Sequence, residues 1–142
     1  MKNERTVLVC TTLQPSSQEL IRAGKAIAQK SHADLEVVSV IPIDNEERKF
    51  NPEALDRLYT CAKSYNGEIS VYFSDDPVMT VCAHTARRKP ITLVTGFPGE
   101  RSNKFISLIR LILPDVPISM VDEKGRIYNM IPDQAAKSAT QH

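Results

Sequence analysis

A chain of 142 residues, 42% apolar and 25% charged, is sized for one domain around one core and excludes disordered, collagen-like and disulfide-dense classes. Its net charge of +1 provides no overall field for nucleic acid or an anionic membrane, so any anion site must be local. Cys10, Cys61 and Cys82 form neither a CxxC pair nor a Cys/His zinc pattern, and they read as buried free thiols in a reducing compartment.

Met1 to Arg5 lacks the apolar core of a secretory signal, and no stretch is long enough to cross a bilayer. The expectation is a cytoplasmic protein with no membrane insertion. Thr6 to Cys10 is a mostly apolar, β-rich run, as suits a strand covered on both faces. Ser16 and Glu19 make a capping box that opens a helix with Leu20, Gly24, Ile27 and Ala28 on one face. Leu35 to Ile43 is a second strand, and Asp44 to Lys49 a charged connection. Asn51 followed by Pro52 starts a second helix, with Leu55, Leu58, Tyr59 and Ala62 inward.

Gly67 to Phe73 alternates Ile69, Val71 and Phe73 against Glu68, Ser70 and Tyr72, the pattern of a half-exposed edge strand. Asp76 and Pro77 repeat the cap-plus-proline signal for a third helix carrying Val78, Val81, Cys82 and Thr85 inward, closed by Arg87 to Lys89 and Pro90. Ile91 to Thr95 is a fourth strand. Gly96 to Gly99 turns into a helix capped by Ser102, with Phe105, Leu108, Ile109 and Ile112 inward and Ile106, Leu111 and Leu113 as surplus apolar surface. Ile118 to Val121 is a fifth strand, and Arg126 to Met130 returns antiparallel after the turn at Glu123 to Gly125. Residues 1–132 read as the domain, and Asp133 to His142 as a frayed tail.

Strands alternating with helices imply an α/β fold: a doubly wound five-stranded parallel sheet, order 3-2-1-4-5, with helices on both faces. A ligand crevice then lies beyond the carboxyl ends of strands one and four, where the winding direction switches. Thr11 to Ser16 and Gly96 to Asn103 face it.

Val7 to Cys10, Pro15 to Ser17 and Leu20 to Ala28 resemble the universal stress protein domain, most closely the branch inside osmosensitive potassium-channel (Kdp-type) sensor kinases. The likeness runs from about Arg5 to Asp122 as a series of short local matches. It implies the adenine nucleotide alpha hydrolase-like fold, a role in stress-response signalling, and ATP or AMP as ligand. Nucleotide-binding members carry G-x2-G-x9-G-(S/T) after strand four; Gly96 and Gly99 match its first half, while Ile109 and Arg110 stand where the second half needs glycine and Ser/Thr. Those members usually end strand one with aspartate, where this chain has Thr11 and Thr12. Kinase-borne members that bind cyclic di-AMP imply a lesser alternative, with Thr12, Gln14 and Leu35 to Ser39 at the corresponding positions.

The ligand-binding set is therefore Thr11 and Thr12 for base or ribose, and Gly96, Gly99, Arg101 and Ser102 for phosphate. Each also has a plainer reading: the threonines satisfy a turn, proline with Gly99 fills a type II turn, and Ser102 caps a helix. Asp75 and Asp76 are better explained by a cap than as a catalytic pair. His84 and Cys82, two apart on a helix, do not share a face for a metal. With no Walker loop, metal cluster or nucleophile–base pair visible, a binding module is expected rather than an enzyme. The alternative is a dimerisation or docking module with a vestigial crevice. It would pair as a homodimer through the fifth-strand edge and fourth helix, or act with a sensor kinase or transporter.

Overall fold

The computed structural model describes residues 5–11, 17–43, 51–97 and 103–132. Strand β1, Thr6–Thr11, is the centre of the sheet: Val7, Leu8 and Val9 have no exposed surface. A backbone buried this thoroughly must find its hydrogen bonds on both sides, and it does, pairing in parallel with β2 (Asp34–Pro42) and β4 (Thr92–Gly96). Beyond β2 lies β3 (Glu68–Ser74), and beyond β4 lies β5 (Ile118–Val121), both parallel. Strand β6, Ile127–Met130, returns antiparallel along β5 within the chain's own sheet, giving the order β3-β2-β1-β4-β5-β6. Among the described residues the edge on this side is therefore β6, and β5 is paired on both flanks.

The period of two along β1 splits the core in two. Val7 and Val9, with Leu35, Val37 and Val94, face α1 (Ser17–Lys30) and α2 (Pro52–Ser64). Leu8, with Val38, Leu93 and Ile118, faces α3 (Pro77–Arg88) and α4 (Asn103–Ile112). Two of the expected caps, Asn51 and Asp76, are present. Asn51 Oδ1 accepts from the N–H groups of Glu53 at 3.0 Å and Ala54 at 3.3 Å, and Asp76 Oδ1 accepts from that of Met79 at 3.2 Å. Lys89 closes α3 in the left-handed region, φ 48°, with its N–H on Thr85 O at 2.9 Å.

Several inward faces are rotated from expectation. Helix α1 buries Ile21 fully, with Leu20 and Ile27 at the core's margin. Tyr59 of α2 is half-exposed at 50%, its place in the core taken by Ala54. In α4 the spacings 105–109–112 and 106–109–113 are both helical, and the helix uses the second: Ile106 is buried and Ile112 is not. In β3 the alternation misleads, since Tyr72 turns towards α3 while Phe73, beside Ile41, stays exposed. Tyr72 is drawn inward by a buried hydrogen-bond partner, His84. The expected cap Ser16, the connection Asp44 to Lys49 and the tail Asp133 to His142 lie outside the described residues.

Two fold predictions follow from particular contacts. A Cβ at Gly24 would overlap Val9 Cγ2, so α1 lies on β1 at a distance only glycine permits. Overpacking costs about 1–3 kcal/mol, and alanine's better helix preference returns up to about 1 kcal/mol. Gly24→Ala is expected to lower the urea midpoint, and Val9→Ala in the same chain to recover part of the loss.

The hairpin to β6 hangs on Asp122. Its Oδ1 accepts the N–H groups of Lys124 and Arg126, each at 2.9 Å, and its Oδ2 accepts from Arg126 Nε at 2.7 Å and Tyr128 Oη at 3.3 Å. Partial desolvation pulls this carboxyl upward, but the hydrogen bonds and charge of Arg126, with the Lys124 N–H, outweigh it and hold the pKa below the usual value. A depressed folded pKa stabilises the hairpin above the unfolded value and ceases to do so as pH falls through the folded one. Amides of β6 should thus lose exchange protection below about pH 4 while β1 and β4 keep theirs, and Asp122→Asn should weaken β6 already at neutral pH.

Candidate functional site

Helices α1 and α2 follow β1 and β2 on one face of the sheet, and α3 and α4 follow β3 and β4 on the other. The chain leaves neighbouring strands β1 and β4 in opposite directions, which opens a crevice at their carboxyl ends. Thr11 ends β1 and is the register partner of Ser39 on β2, so both side chains stand on the α1/α2 face. Carried two residues beyond Val9↔Val94, the β1–β4 register sets Gly96 level with Thr11.

The electrostatics of this row are unusual. Thr11 is 4% exposed and Ser39 0% exposed, yet among the described residues neither Thr11 Oγ1 nor Ser39 Oγ has a hydrogen-bond partner. A buried hydroxyl left unpaired costs about 1–3 kcal/mol, and native structures rarely keep two side by side. At Gly96 an added Cβ would meet nothing within 4 Å, so the row is open at its Gly96 end while Thr11 and Ser39 lie beneath the surface. Phe97 is then tied to β5 by its N–H on Val121 O at 2.7 Å, and its ring lies 5.0 Å from that of Tyr128.

Of the residues expected to bind ligand, the structure brings Thr11 and Gly96 together at this crevice. Thr12, Gly99, Arg101 and Ser102 lie outside the described residues. Ile109, where the glycine pattern of nucleotide binders needs its third glycine, has no exposed surface and packs inside α4, so no backbone there can approach a phosphate. Ser39 was legible only as the end of the Leu35 to Ser39 segment; its place beside Thr11 depends on strand register. Beside Thr11 in β1, burial, with Cys82 a second influence, pushes the Cys10 thiol up to about 12. Burial raises Cys61 and Cys82 as well.

A groove of about 290 Å³ lies at the other end of the sheet, between Ile27 of α1, the start of β4 and the end of β6. Its polar floor is already satisfied: Thr92 Oγ1 and Ser119 Oγ are 2.8 Å apart, and Ser119 Oγ donates to Asn129 Oδ1 at 2.9 Å. The unpaired hydroxyls make the crevice, not this groove, the candidate site. Among the described residues no group of three His, Cys, Asp or Glu side chains could hold a metal ion, and no helix is long and apolar enough to cross a membrane. The sequence reading also missed a buried cluster of Glu36, His84 and Tyr72 on the α3 side. Its one signal was a carboxylate inside the apolar run Leu35 to Val38.

Removing an unpaired buried hydroxyl should relieve the unliganded protein. Ser39→Ala is expected to raise its stability by about 1 kcal/mol, read as a higher thermal midpoint. Gly96→Ala should leave that midpoint nearly unchanged.

No family model matches the chain, and no curated protein matches it. Solved structures do. A universal stress protein in complex with cAMP matches with a TM-score of 0.60 at 18% identity, over 82% of this chain and 96% of that one. The universal stress protein from Archaeoglobus fulgidus in complex with dAMP gives 0.58 at 12% identity, over 84% of this chain and 98% of that one. A universal stress protein family member from Burkholderia pseudomallei gives 0.59 at 14% identity, over 83% and 96%. The chain has the universal stress protein fold.

Proposed function

We propose that this chain is a signalling module of the universal stress protein kind that binds an adenine nucleotide at the carboxyl ends of β1, β2 and β4. The observation that carries this reading is the pair of buried, unpaired hydroxyls on Thr11 and Ser39. Each hydroxyl both donates and accepts, so together they suit a ligand edge that alternates donor and acceptor, as ribose hydroxyls and the adenine rim do. The open side of Gly96 leaves room for a phosphate to approach backbone, with Gly99, Arg101 and Ser102 following in the chain. Two matched structures of the same fold hold cAMP and dAMP, which supports a monophosphate of adenosine ahead of ATP. The buried Ile109 points the same way, since it removes one backbone approach to a longer phosphate chain. No covalent step is required at this crevice. Cytoplasmic signalling is the setting that this reading implies.

Thermal denaturation with AMP, cAMP, ATP and cyclic di-AMP tests it. A ligand at a hundred times its dissociation constant stabilises the fold by about 2.7 kcal/mol. AMP or cAMP should do so, and Ser39→Ala or Thr11→Val should weaken binding by roughly 2- to 10-fold, the worth of one hydrogen bond. No shift with any of the four at millimolar concentration would overturn the assignment.

A second reading has its own observation. Leu111 of α4 is 77% exposed, Ile112 is 38% exposed, and Ile127 of the edge strand β6 is 42% exposed. An apolar helix end and an uncovered edge suit a homodimer or docking on a larger protein such as a sensor kinase or transporter. If no nucleotide binds, sedimentation of the wild type against Leu111→Glu separates a dimer from a monomer.

A further inference from the structure

On the α3 side of the sheet, the opposite face from Thr11 and Ser39, three titratable side chains from three elements meet. His84 of α3 is 2% exposed and Glu36 of β2 is 6% exposed. His84 Nε2 lies 2.6 Å from Glu36 Oε1, and His84 Nδ1 lies 2.8 Å from the hydroxyl of Tyr72 on β3. Arg87, three residues beyond His84, donates from Nη2 to the Tyr72 oxygen at 3.0 Å, and Arg88 Nε stands 3.1 Å from Glu36 Oε1.

Arg87 donates to the phenol oxygen, which leaves the Tyr72 O–H to be given to Nδ1; in the tautomer with its proton on Nε2, His84 donates to Glu36, which also pairs with Arg88. A hydroxyl held to a base, and the base oriented by a buried carboxylate, is the arrangement that activates a nucleophile. Packing alone does not need Arg87, an exposed cation, at the oxygen where negative charge would develop. Tyr72 is half-buried on β3, the edge strand of the sheet among the described residues, and keeps part of its surface in solvent.

We propose that Tyr72 is an activated phenol, a covalent modification site that captures the acyl group of an activated acyl donor. Its oxygen attacks the acyl carbon and forms the new C–O bond. The O–H bond breaks and its proton passes to His84 Nδ1, while the leaving group departs with the electron pair of the broken acyl bond. Glu36 steadies the imidazolium until His84 passes the proton, through water, to the leaving group. The products are O-acyl Tyr72 and the protonated leaving group, with no oxidant or cofactor involved. Tyr72 and His84 are the reacting groups, and Glu36 is a positioning residue.

The four tyrosines of the chain are internal competitors. Tyr59 at 50% and Tyr128 at 40% are open to solvent, whereas Tyr65 and Tyr72 are half-buried. The intact protein is treated with p-nitrophenyl acetate and the acetylated peptides are quantified by mass spectrometry. Tyr72 is expected to react at least about tenfold faster than Tyr128, a modest share of what general-base assistance supplies. Acetylation of Tyr59 and Tyr128 ahead of Tyr72 overturns the proposal. His84→Gln and Glu36→Gln should bring the Tyr72-to-Tyr128 ratio to about one, and because the ratio is read within one chain, a general loosening does not mimic it. Where those variants fail to fold, Arg87→Ala, an exposed change, must lower the ratio; an unchanged ratio in that folded variant overturns the proposed role of the cation and with it the activated phenol.

Discussion

A central strand buried on both faces and paired on both sides sets the terms for everything else in this fold. With Val7, Leu8 and Val9 sealed from water, the β1 backbone has nowhere to bond except its two neighbours, and its alternate side chains must each meet a layer of helices. From that follow two separate cores, a reversal of winding between β1 and β4, and a crevice at their ends. Gly24 shows how tightly the arrangement is drawn, since α1 reaches β1 at a point where a single methyl group would intrude on Val9.

Much of this was legible in the residues. Proline after Asn51 and after Asp76 marked two helix starts because proline's fixed φ and missing N–H suit that position and few others. The order 3-2-1-4-5, expected because it puts the alternating third strand at an edge of a doubly wound sheet, is the order found. Helix faces were less secure. The stripe 105–109–112 and the stripe 106–109–113 are both built of helical steps of three and four along and just past α4, and only the sheet beneath chooses. Ser39 could not be set beside Thr11 without the β1–β2 register. Glu36, Tyr72 and His84 lie far apart in sequence and share no period, so no local pattern could join them.

The two polar clusters stand on opposite faces of one sheet and differ in a way that bears on their roles. At Thr11 and Ser39 the hydroxyls have no partner among the described residues, so the cost of their burial stands uncompensated. At Glu36, His84 and Tyr72 every group already has its partner, and the cluster is complete without a ligand. An incomplete site is suited to sensing, because occupancy changes its energy. A complete and directional one is suited to chemistry, because its geometry is fixed before the substrate arrives. Nothing in the fold obliges the two to act together, since the central layer of β1 and β2 separates them.

Strand β6 differs from its five companions in how it was acquired. Each parallel pairing requires the chain to cross over through a helix, whereas β5 and β6 are joined by one tight turn around Asp122 and Gly125. Its ladder is thus the most local in the sheet and can close late or open early without unthreading any other strand. The last strand among the described residues is accordingly a border whose ladder can open without breaking any parallel pair, although Met130, Asn129 and Tyr128 still brace the strands beside it.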